Sequence, residues 1–167
     1  MFVVQSTTPF GKKFNGFIEG IGEEKYERVA RESLRILLTF GKKLESEMQR
    51  IMDGVKKGMP LDHDLFDKMV AAKETHKEAV RGLKEDTEEQ ASHALIIFAD
   101  AVQDLMAYLY KYWKKWFGQV SDDLLAHLRN TWSVAQNVGN NKSLLARAME
   151  SARKYTAEQL LAHGRSF

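Results

Sequence analysis

Residues 26–57 read YERVARESLRILLTFGKKLESEMQRIMDGVKK, and in them Tyr26, Ala30, Ser33, Leu37, Phe40, Leu44, Met48, Ile51 and Val55 recur at steps of three and four. That is the period of a helix with one face packed against something else, and it is incompatible with the two-residue alternation of a strand. On the opposite side, at about 100° per residue, fall Arg28, Arg31, Arg35, Thr39, Lys42, Ser46, Arg50 and Lys57. Glu24, Glu32 and Asp53 interrupt the positive charge there. The stretch therefore predicts one long helix over residues 22–57, apolar in front and mostly basic behind. The sequence KKGMP that follows it places glycine and proline where a helix stops.

The same period governs the rest of the chain. Pro9 and Pro60 are its only prolines, and strand-like alternation is missing beyond the first few residues. A second helix is predicted over 61–85. Thr87 and Gln90 in TEEQ have the spacing of a capping box, so a third helix begins there and runs to Phe117 before Gly118 ends it. Ser121 followed by two aspartates opens a fourth, since acids are favourable at the positive end of a helix dipole, and NVGNN closes it near 138. A fifth takes 141–163 and ends at Gly164. The expectation is an all-α fold: a helical bundle of about five helices, residues 22–167 forming one domain, with residues 1–21 as an extended N-terminal arm. A chain of 167 residues that is 44% hydrophobic has material for one such core.

The arm is apolar at Phe2, Val3, Val4, Phe10, Phe14, Phe17 and Ile18, yet Pro9, Gly11, Gly16 and Gly20 prevent a regular helix throughout. Such a segment is expected to pack on its own bundle or on a neighbouring copy. It lacks the charged start and long apolar run of a signal peptide and the Arg-rich character of a transit peptide. The longest apolar runs, ALIIFA and LMAYLY, have six residues, far short of the roughly 20 that span a bilayer. The expected location is the cytoplasm or the inside of a particle.

Charge is segregated although the formal total is only +2. Lys and Arg number 11 against 8 Asp and Glu in residues 1–58, 5 against 11 in 59–104, and 9 against 4 in 105–167. An acidic middle between basic ends can set register between copies or attract phosphates. Residues 108–118, YLYKYWKKWFG, hold six aromatic rings and three lysines. A helix apolar nearly all round is central in a bundle or clamped between subunits. The rings of Tyr110, Trp113 and Phe117 exceed what so small a core needs, which favours self-association. A membrane-surface anchor and a base-stacking platform are the competing readings.

Motifs for chemistry are scarce. There is no cysteine, hence no disulfide, thiolate metal site or cysteine nucleophile. No Gly-rich phosphate loop, nucleophile elbow or zinc signature occurs. A bundle di-iron site requires Glu-x-x-His twice, whereas Glu89 and His93 are four apart and unrepeated. His76 lies on an apolar helical face, the setting of a core histidine with a satisfied hydrogen bond. His93 or His127 would be the axial ligand if the chain held haem.

These features point to a non-enzyme with no cofactor and no small-molecule substrate: a coat- or capsid-like structural subunit. Its partners would be copies of itself or a paralogue, met through Phe2, Phe10, Phe14 and Phe17 of the arm and Tyr110, Trp113 and Phe117 of the aromatic helix. Arg28, Arg31, Arg35, Lys42, Arg50 and Lys57 would follow a nucleic-acid backbone without reading its sequence. Coat proteins of filamentous viruses and small helical subunits of nucleoprotein complexes share this plan as an analogy of architecture. The alternatives are a peripheral membrane-surface protein using 108–117, a small helical subunit of a larger nucleoprotein complex, and a haem- or metal-binding helical protein.

Overall fold

The computed structural model describes residues 23–112 and 122–163, apart from the side chains of residues 23–26, Asp122 and His163. Among the described residues there are six helices: α1 Glu23–Lys56, α2 His63–Glu85, α3 Glu88–Lys111, α4 Asp122–Asn140, α5 Lys142–Lys154 and α6 Ala157–His163. The fold is all-α, as the periodicity predicts. The arm, with Phe2, Phe10, Phe14 and Phe17, lies outside the described residues, as do Trp113, Phe117, Gly118, Ser121 and Gly164.

Helices α1 to α4 run alternately up and down. Each packs on the next and α4 returns to α1, so α1 and α3 are diagonal. Two polar links fix this order at one end: Lys43 of α1 pairs with Asp123 at the start of α4, and the Tyr108 hydroxyl near the end of α3 donates to Asp62 Oδ1 at 3.0 Å. At the other end α5 and α6 fold across the N-terminal half of α1. Arg153 of α5 there donates to the Asp86 carbonyl between α2 and α3.

The stripe read from α1 is the one that is buried: Ala30, Leu37 and Phe40 are at most 2% exposed. Phe40 meets Phe98 of α3 with ring centroids 5.8 Å apart. Leu95, Phe98, Val102 and Leu105 turn one face of α3 into the core, where it packs between α2 and α4.

Helix ends follow local chemistry. Gly58 has a φ of 96°, and Met59 N–H donates to Gly54 O while Gly58 N–H donates to Val55 O. This is a Schellman motif, whose left-handed residue favours glycine. The Thr87–Gln90 capping box is present, each side chain accepting from the other's backbone N–H. The fifth predicted helix, however, is two. Tyr155 is extended and Thr156 opens α6 with a second capping box, in which Thr156 N–H donates to Gln159 Oε1 at 2.9 Å and Gln159 N–H to Thr156 Oγ1 at 3.1 Å. The side-chain partners offered by TAEQ compete with continuation of the helix and win.

Candidate nucleic-acid interface

The 34 residues of α1 make a rod of about 51 Å at 1.5 Å per residue. Its buried stripe orients the back outward, and Arg28, Lys42, Arg50 and Lys57 are exposed there. Arg31 and Arg35 are half-buried. Arg31 places its guanidinium 5.9 Å from the centroid of the Tyr155 ring, where α5 ends against α1.

The six basic residues are not electrostatically alike. Arg35 donates to both carboxylate oxygens of Glu32, from Nε at 2.9 Å. That hydrogen bond raises the guanidinium above its ordinary pKa. Arg50 grips Glu47, with Nε to Oε1 at 3.0 Å, and Glu47 is itself buried. These two cations are thus matched by acids of the preceding turn, at the spacing that lets helical neighbours meet. Arg28, Lys42 and Lys57 have no acid within ion-pair distance among the described residues. The Glu32–Arg35 and Glu47–Arg50 spacings were readable in the sequence. The Tyr155 contact was not, because it depends on how α5 crosses α1.

The aromatic end of α3 is divided. Leu105 and Leu109 are buried, and Tyr108 is half-buried. Burial, together with the bond to Asp62, pushes the Tyr108 hydroxyl up to about 12. Its ring lies 4.8 Å from that of Tyr112, and Lys68 and Lys111 approach these two rings at 5.7 and 5.4 Å. Tyr110 is 67% exposed, its hydroxyl 3.4 Å from Arg129 Nη2. So α3 is apolar on the side that enters the core and offers at least one ring outward.

His76 is a core residue. Its Nε2 lies 2.7 Å from the Leu37 carbonyl, and because a carbonyl only accepts, that nitrogen carries the hydrogen. The ring sits edge-on to Phe98 at 5.3 Å. Burial pushes its pKa below the usual histidine value. His93 is exposed on α3, and His127 is half-buried with Nε2 3.7 Å from Asp123 Oδ1. Among the described residues no group of three or more His, Asp or Glu side chains converges as a metal would require, and no helix is long and apolar enough to cross a membrane.

The outer seam between α2 and α3 went unnoticed in the sequence. It holds two open concavities, of about 700 and 440 Å3, the larger beside Asp64, Asp67 and Asp104 and the smaller beside Glu74, His93 and Ile97. Comparison with protein-family models, curated proteins and solved structures gives no match.

Proposed function

We propose that this protein is a non-enzymatic structural subunit, coat- or capsid-like, that self-assembles and lines a nucleic-acid backbone with the outer face of α1. One observation carries the reading: a long helix whose apolar stripe is buried turns a row of cations to solvent over about 44 Å, from Arg28 to Lys57 at 1.5 Å per residue. No base-reading element accompanies the row, so binding is indifferent to sequence. The exposed Tyr110 ring and the charge segregation support the assembly half, since tyrosine is enriched at interfaces.

The test uses the three cations that no acid among the described residues matches. Replacing Arg28, Lys42 and Lys57 together by Gln should weaken binding to DNA or RNA of any sequence. The plot of log affinity against log salt should flatten by roughly two to three units, since each phosphate contact contributes about 0.9 on duplex and about 0.7 on single strands. Helical content should not change, because Gln has nearly the helix propensity of Arg and Lys. An unchanged slope makes the row a solvated face and leaves protein–protein assembly alone.

A further inference from the structure

The outer seam between α3 and α4 carries little charge. Ile96, Gln103 and Tyr110 on α3, and Leu125 and Trp132 on α4, recur at steps of seven, so each set shares one side of its helix. Three contacts bring the two sides together. The Ser92 hydroxyl donates to the Gly139 carbonyl, a Cβ on Gly139 would lie 3.0 Å from Ile96 Cδ1, and Arg129 Nη2 is 3.4 Å from the Tyr110 hydroxyl. Tyr110 is 67% and Leu125 40% exposed, while Ile96 and Trp132 are half-buried. The indole nitrogen of Trp132 is covered, so the ring offers carbon to solvent. Most charged side chains described on these two helices point elsewhere. His93, Asp104 and Lys111 line the concavities against α2, and Asp123 and His127 pair on the α1 side. Glu88 and Glu89 lie beyond Ser92, at the end of the seam. There remain Asp100, exposed one turn from both Ile96 and Gln103, and the exposed Arg129. A face of Tyr, Trp, Leu and Arg with few charges has the composition of an interface core.

Asp100 and Arg129 decide what occupies this face. Counted from the Ser92–Gly139 contact, Asp100 stands about 12 Å along α3 and Arg129 about 15 Å along α4 at 1.5 Å per residue. They are level with each other but on different helices, and neither has an opposite charge at ion-pair distance among the described residues. A two-fold axis running along the seam lays α3 of each copy over α4 of the other, antiparallel and at the same level, and brings each Asp100 to the Arg129 of the other copy. We propose that the α3/α4 seam is the contact face of a two-fold dimer of this chain, closed by two Asp100–Arg129 pairs around Tyr110, Leu125 and Trp132. From Ser92 to Tyr110 the seam is about 27 Å long, and at two helices wide it has a footprint of roughly 500 Å2 per copy. A standard interface takes about 800 Å2 per partner. The dimer is therefore concentration-dependent by itself and is reinforced by any further contact between copies. It rests on the assembly half of the function proposed above and is independent of the nucleic-acid half.

The full-length chain tests this. It has no cysteine, so Asn140→Cys, at an exposed position beside Gly139, carries a single nitroxide per copy, and pulsed electron resonance reads the distance between copies. The dimer predicts a distance below about 30 Å, within three helix spacings, with an amplitude that rises with protein concentration. Asp100→Arg and Arg129→Asp, both at exposed positions, should each abolish it, because both pairs across the axis then carry like charges. An equal mixture of the two variants should restore it, since both pairs of the mixed dimer are again of opposite sign. Should either variant lose its helical signal, Leu125→Lys, also at an exposed position, is expected to abolish the distance in a folded chain. The proposal is overturned if the labelled parent shows no distance in that range, if folded single variants keep it, or if their mixture does not regain it. Light scattering on the same samples separates the two readings. Multimers that lack the seam distance leave assembly standing and remove this interface, whereas single chains at every concentration remove both.

Discussion

At position 41 the chain needs the absence of a side chain. A Cβ on Gly41 would lie 2.3 Å from His76 Cε1 and 3.0 Å or less from both ring nitrogens, while the ring is held by the Leu37 carbonyl, Phe40 and Phe98. Gly41→Ala should therefore destabilise the protein by about 1–3 kcal/mol as overpacking does. In a His76→Ala background the same change should stabilise by up to about 1 kcal/mol through helix propensity. Chemical denaturation of the four proteins measures the coupling, and additive effects would refute the contact. His76→Leu should be nearly neutral at pH 8, because the Leu37 carbonyl keeps the helical acceptor role that the ring shares. Acid should separate the two proteins. The folded pKa of His76 is depressed from 6.5, so the unfolded chain takes up a proton that the folded chain refuses, and the wild type loses stability as pH falls from about 6.5 toward the folded pKa. His76→Leu lacks that component of the slope, which urea titrations at pH 8, 6.5 and 5.5 would reveal.

At the scale of the element, what could be read beforehand was what each segment encodes alone. The α1 stripe, the Gly58 stop and the Thr87 cap depend on residues within a few turns of one another, and the structure has them where periodicity and capping chemistry put them. The break at Tyr155 was equally local and went unread, although TAEQ at 156–159 repeats the Thr-x-x-Gln pattern of TEEQ at 87–90. An apolar period that continues across the cap disguised it. Thr156→Ala should cost about 0.5–2 kcal/mol as cap removals do, and the loss should be local. Hydrogen exchange at residues 157–163 should accelerate while α3 keeps its protection, and a uniform loss would mean that α6 is not a separate unit. The groove on α2 and α3 was illegible for another reason. Ala71 and Ala101 are thirty positions apart, and their alignment follows from the two-residue link at Asp86 and Thr87, which fixes the pairing of two whole helices.

At the scale of the molecule the bundle separates its surfaces by charge. The back of α1 exposes Arg28, Lys42, Arg50 and Lys57, whereas Asp64, Asp67 and Asp104 outnumber Lys68 and Lys111 along the α2/α3 seam. In the proposed account copies are joined through the arm and the aromatic helix and phosphates are met on the back of α1, so assembly and binding do not compete. Deleting residues 1–20 should then leave helical content unchanged and abolish higher assembly. The most direct measurement is light scattering across a size-exclusion column, with the full-length protein run alone and with single-stranded or duplex nucleic acid at low and high salt. The account predicts multimers that take up nucleic acid of any sequence at low salt and release it at high salt while remaining multimeric. A particle with the mass of one chain under every condition, with nucleic acid eluting separately at low salt, would contradict it.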